Sequence, residues 1–104
     1  MGRSKKDIEK KLAEATKYLK SIGCKEIILF GSLSDGRFDK FSDIDLAVSG
    51  ISPGAYFRAV AVLSSKVEWK VDLVAMDYVS KEFAQRIRRQ GRILYATQKS
   101  RRRY

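Results

Sequence analysis

Two short apolar segments of this chain carry acids where a buried strand would carry none, and this constrains the fold more than any other feature. In Asp43-Ile44-Asp45-Leu46 the acids alternate with aliphatic residues, and a third acid lies inside Val71-Asp72-Leu73-Val74. Alternation predicts strands, because successive side chains of a strand leave on opposite faces. Asp43 and Asp45 then share one face, about 7 Å apart along the backbone. In the second segment Val67, Trp69, Val71, Leu73 and Ala75 share a face, which puts Asp72 on the other with Glu68 and Lys70. If the two strands are neighbours, three carboxylates converge. Two unit charges about 5 Å apart repel by about 3 kcal/mol at an effective dielectric near 20. An ordered strand rarely accepts that without a compensating cation.

The rest of the chain supplies the frame. Ile8, Leu12, Ala15, Leu19 and Ile22 recur at three- and four-residue spacing, predicting an amphipathic helix from about residue 5 to 22 that ends at Gly23. Lys25 to Phe30 reads as a short buried strand. Gly31 and Ser32 turn the chain, and a short helix or loop follows through Gly36 to Ser42. The acidic strand is expected from Asp43 to Val48. Ser52 and Pro53 form a helix start, and that helix is expected to reach Ser64, packing through Tyr56, Phe57, Val60 and Leu63. A third strand covers Glu68 to Ala75. Ser80 caps a last helix ending at Gly91, with Phe83 and Ile87 inward, and Ile93-Leu94-Tyr95 suits a short final strand. Alternating strands and helices with short joins imply an α/β (α+β two-layer) fold: a small twisted mixed sheet of three to four strands, backed by helices on one side, with the carboxylates on the other. Residues 1–96 are expected to form one domain and residues 97–104 a disordered basic tail.

Composition narrows the classes. No apolar run approaches membrane-spanning length. The single Cys24 cannot form an internal disulfide, so a reduced, cytoplasmic setting is expected, with Cys24 as a small packing residue. The net charge of +10 is unevenly placed: eight basic residues and no acid follow Glu82, leaving +2 for the first 82 residues.

The chain has no His, so a metal at Asp43, Asp45 and Asp72 would have oxygen ligands, which suits Mg²⁺ or Mn²⁺. Such a site would serve phosphoryl transfer, with two ions held by Asp43 and Asp45 and one of the two sites completed by Asp72. Gly31 permits close approach of a phosphate, and the hydroxyl of Ser32 can donate to it, as can that of Ser42. The plain alternative gives Gly31 and Ser32 an ordinary turn, makes Asp43 a turn residue and pairs Asp45 with Lys40 or Lys70.

Gly31-Ser32, ten residues, and Asp43-x-Asp45, with Asp72 on a later strand, resemble the nucleotidyltransferase superfamily that includes DNA polymerase β. The likeness is closest to the minimal nucleotidyltransferases found beside HEPN-domain partners in toxin–antitoxin pairs. It spans roughly residues 5 to 96. In one place the chain departs from the pattern: many minimal members follow Gly-Ser with Arg-small-Arg-Gly, whereas here Leu33-Ser34-Asp35-Gly36 follows. The resemblance implies transfer of AMP from ATP to a hydroxyl, with a HEPN-type toxin as the acceptor and this chain as its antitoxin. A second copy of the chain is another way to present an acceptor. Two rivals stay open: an inhibitory binding module without catalysis, and a nucleic-acid-binding subunit that uses the basic C-terminal segment.

Overall fold

The structure, a computed structural model, describes residues 5–31, 43–67 and 69–97. Among the described residues three helices and four strands run in the order α1 (Lys5–Ser21), β1 (Glu26–Phe30), β2 (Ile44–Ser49), α2 (Pro53–Val67), β3 (Val71–Ala75), α3 (Lys81–Gln90) and β4 (Arg92–Ala96), with a 3-10 turn at Met76–Tyr78 between β3 and α3. The strands form one mixed sheet in the order β3-β2-β1-β4. The β1–β2 and β1–β4 pairs are antiparallel; β2 and β3 are parallel. A parallel pair cannot close through a tight turn, so α2 serves as the crossover between β2 and β3.

The chain's local chemistry sets most of the ends. Gly23 takes the left-handed conformation (φ 98°) just past α1. The Ser52 hydroxyl accepts from Ala55 N–H at 3.2 Å, and the Ser80 hydroxyl accepts from Phe83 N–H at 3.1 Å. Gly91 N–H donates to the Ile87 carbonyl at 2.7 Å and closes α3.

The principal core lies between the sheet and the pair α1 and α2. Ile8, Leu12, Ala15 and Leu19 of α1 meet Ile27, Leu29, Ile44, Leu46 and Val48 of the sheet and Ala59, Leu63 and Val67 of α2. A smaller cluster of Ile28, Ala47, Met76, Ala84 and Ile87 lies on the other face. Helices therefore cover both faces, not one: α3 occupies part of the carboxylate face. Its docking is fixed by charge as well as by apolar contact. Glu26, buried on β1, accepts two hydrogen bonds from Arg88 (3.0 and 2.8 Å) and one from the Ser49 hydroxyl (2.8 Å). A buried carboxylate needs such partners, because desolvating an unpaired one costs several kcal/mol.

Three packing expectations are corrected. Phe57 is 71 % exposed and Val60 is 40 % exposed, because α2 turns the stripe Tyr56, Ala59, Leu63, Val67 inward. Phe83 is 37 % exposed, and Ala84 and Ile87 are the buried residues of α3. Val67 ends α2 instead of preceding a strand, so β3 begins at Val71 rather than Glu68. Trp69 is buried, as expected of a core residue. Among the described residues no helix is long and apolar enough to cross a membrane.

Candidate active site

The pairing of β2 with β3 decides whether the acids meet, and they do. Asp45 and Asp72 are direct register partners, flanked by Ile44↔Val71 and Leu46↔Leu73. Leu46 and Leu73 point into the principal core. The alternation of each strand therefore sends both carboxylates to the opposite face, side by side on strands about 4.8 Å apart. On the other flank of Asp45, Phe30 is its antiparallel partner. Asp45 thus stands half-buried between a phenyl ring's strand and a second carboxylate.

Its electrostatics follow from that position. Burial, the carboxylates of Asp72 and Asp43, and a hydrogen bond with Asp72 that only a protonated carboxyl can donate all push the Asp45 carboxyl above its ordinary range. Lys70 works in the opposite sense. Asp43 lies just before β2, where its Oδ2 is 3.5 Å from Lys70 Nζ. The sequence offered Lys70 as a partner for Asp45, and the contact is with Asp43 instead. Among the described residues the three acids do not stand as a ready-made three-ligand group. What they present is a crowded carboxylate pair with a third carboxylate one alternation away.

Gly31 completes the inner wall. It follows β1 at φ 80°, a conformation that favours glycine, and a Cβ built on it would overlap Oδ2 of Asp45. The glycine is needed here for the close approach of the turn to the acidic strand. Ser32 and Ser42, the two hydroxyls expected at phosphate, lie outside the described residues.

The donor set tests whether a divalent cation fits. Every candidate ligand is a carboxylate oxygen, and Asp45 bears a repulsion that a bound cation would relieve. Hard, oxygen-preferring ions such as Mg²⁺ or Mn²⁺ match that chemistry. Elsewhere Cys24, Arg88 and Arg92 are taken up by the fold. Burial and nearby Asp77 push the Cys24 thiol up to about 11, so it stays protonated and serves packing. Two of the C-terminal arginines are engaged internally, Arg88 with Glu26 and Arg92 with Glu9 at 2.7 and 3.1 Å. The sequence showed a run of bare positive charge; neither pairing was visible in it, since each joins residues more than sixty positions apart.

Comparison with known proteins agrees with the geometry. The family model described as polymerase beta, nucleotidyltransferase matches residues 10–100. Among solved structures, a chain of a toxin–antitoxin complex with AMP-PNP is 32 % identical with a TM-score of 0.71, over 88 % of this chain and 75 % of that one. A chain of the toxin–antitoxin complex MntA-HepT is 27 % identical with a TM-score of 0.67, over 88 % and 74 %. A chain of the complex of tri-AMPylated Shewanella oneidensis HEPN toxin with MNT antitoxin is 27 % identical with a TM-score of 0.62, over 88 % and 77 %. No curated protein matches the chain in sequence. The mixed sheet, the acids paired across β2 and β3, and the match over most of the length lead to one conclusion: the chain belongs to the polymerase beta nucleotidyltransferase family.

Proposed function

We propose that this chain is a metal-dependent nucleotidyltransferase that moves AMP from ATP to a hydroxyl side chain of a HEPN-type toxin, and so acts as its antitoxin. The observation that carries this reading is the Asp45–Asp72 register pair, with Gly31 closed against it. Asp43, Asp45 and Asp72 would hold two divalent ions, Mg²⁺ or Mn²⁺. When bound, these ions supply positive charge to the α-phosphate and the departing pyrophosphate and acidify the attacking hydroxyl.

The chain's own residues account for the remainder. The acceptor oxygen attacks the α-phosphorus in line, a new P–O bond forms, and the bond to pyrophosphate breaks. The hydroxyl proton passes to Asp72, the more exposed carboxylate of the pair. In this reading the phosphates lie over the turn at Gly31, where Ser32 and Ser42 would donate to them. Residues 1–96 make up the catalytic domain in this reading, and 97–104 a basic extension.

A polypeptide acceptor is supported by the surface beside the site. Val74 follows Asp72 on the same face of β3 and opens onto an apolar groove of about 540 Å³ lined by Tyr56, Phe57, Tyr78, Val79 and Phe83. Phe57 and Tyr78 are 71 % and 61 % exposed there. The three toxin–antitoxin neighbours support the choice of a toxin as that polypeptide, and the AMPylated one supports AMP as the group moved.

Transfer of label from α-³²P-ATP to the purified HEPN-type partner, with Mg²⁺ or Mn²⁺, tests the proposal. Label on the partner that is lost in Asp45→Asn and Asp72→Asn, both still folded, is the expected result. An unlabelled partner that the wild-type chain and Asp45→Asn neutralise equally well would overturn it in favour of an inhibitory module.

A further inference from the structure

Lys70 is the charged residue at the carboxylates that the proposed chemistry leaves without a task. Its carbonyl accepts from Ile44 N–H at 3.0 Å, which fixes its backbone beside the start of β2. Its side chain is 69 % exposed and its ammonium stands 3.5 Å from Asp43, whose own side chain is 36 % exposed. It lies one residue before β3, and its contact with Asp43 brings its ammonium to the acidic end of β2. A long, solvated lysine is thus tethered at its root and loosely held at its tip, on a ligand that the divalent ions need.

We infer that Lys70 is a displaceable counter-ion of the acidic site: its ammonium competes with the divalent cation for Asp43, and once displaced it binds the phosphates of the nucleotide. The inference rests on the metal-dependent reading above. An exposed lysine–carboxylate contact at this distance is weak, so a divalent ion shared with a second carboxylate wins the competition. The lysine stem keeps the freed ammonium within about 6 Å of its root, beside the carboxylates that would hold the ions and their phosphates. A fixed arginine fork would hold Asp43 more firmly and give it up less readily.

The test is a pair of binding measurements on the full chain carrying Lys70→Gln. Mn²⁺ affinity is read by electron paramagnetic resonance, and affinity for a non-hydrolysable ATP analogue at saturating Mg²⁺ by calorimetry. The variant should bind Mn²⁺ about two- to fivefold more tightly, the weight of an exposed ion pair, and the nucleotide several-fold more weakly. Lys66→Gln, at the end of α2 outside the carboxylate face, should change neither. Damage to the site would weaken both affinities, and a merely solvated lysine would move neither, so either result overturns the inference. Wild-type protein that binds no Mn²⁺ would overturn the metal-dependent reading and this one together. Wild-type binding with an unchanged variant would overturn this one alone.

Discussion

Replacing Asp72 with Asn should make the metal-free protein more stable, although it removes a proposed metal ligand. Asp72 faces Asp45 across one parallel ladder, so the two carboxylates stand about 5 Å apart. At that distance their repulsion is about 3 kcal/mol at an effective dielectric of 20 and under about 1 kcal/mol in bulk water. Asp72 is exposed and Asp45 half-buried, which places the pair nearer the lower figure, at about 1 kcal/mol. The amide that replaces the Asp72 carboxylate carries no charge and can donate to Asp45. For a domain of this length, about 1 kcal/mol raises the melting temperature by roughly 4–8 °C. The assay is thermal unfolding followed by circular dichroism near neutral pH, in chelator and then in millimolar Mg²⁺. Wild type should melt below Asp72→Asn in chelator, and Mg²⁺ should narrow or reverse the gap by stabilising wild type alone. In about 1 M salt, where screening acts within about 3 Å, the chelator difference should shrink. An Asp72→Asn variant that melts at or below wild type in chelator would refute the claim that the two carboxylates crowd each other.

Three other results are expected. The folded protein holds the Asp45 proton more tightly than the unfolded chain, whose ordinary value is 3.8, so Asp45 contributes stability in acid that is lost as pH rises through its folded value. Denaturant titrations should therefore show wild type losing ground to Asp45→Asn as pH climbs above 3.8 in chelator. Gly31→Ala should cost about 1–3 kcal/mol, from a strained positive φ and from contact with Asp45, and should cut label transfer far more than Gly23→Ala, whose Cβ meets nothing. Arg88→Met should cost about 3 kcal/mol in chemical denaturation by leaving Glu26 buried without its guanidinium, and Glu26→Leu in the same chain should recover much of the loss.

Much of this was legible in the chain because the signals are local. Ser52, Ser80, Gly23 and Gly91 end their helices through chemistry carried on their own or adjacent residues, and they stand where the sequence placed them. Asp45 and Asp72 were readable because an acid among aliphatic strand residues has no packing explanation. The inward face of α2 was not readable. Tyr56, Phe57, Val60 and Leu63 and the set Tyr56, Ala59, Leu63, Val67 fit a helical period equally well. In the structure Ala59 is buried against the sheet, while Phe57 and Val60 face outward. The Glu26–Arg88 pair was hidden for another reason: nothing in a basic helix shows which arginine will lie over a buried acid from the first strand.

Register is where fold and function meet, and apolar burial alone does not fix it. Moving β3 by one residue along β2 would turn Leu73 outward and Asp72 into the core, and burial forbids it. Moving it by two residues would keep every face correct, yet would carry Asp72 about 7 Å along the strand from its place opposite Asp45 and separate the pair. Polar contacts discriminate between these otherwise equal packings. The Lys70 carbonyl accepts from Ile44 N–H at 3.0 Å at the start of the ladder. Tyr56 of the crossover helix donates its hydroxyl to the Leu73 carbonyl at 2.7 Å. Beyond the strand, Asp77 accepts from Gly50 N–H at 2.8 Å and ties the exit of β3 to the exit of β2. Each contact contributes about 1 kcal/mol, and a two-residue slip breaks all three at once. The carboxylates repel, so they do not hold themselves together. The strands are held in register from both ends, and the acids are brought opposite each other against their own electrostatics.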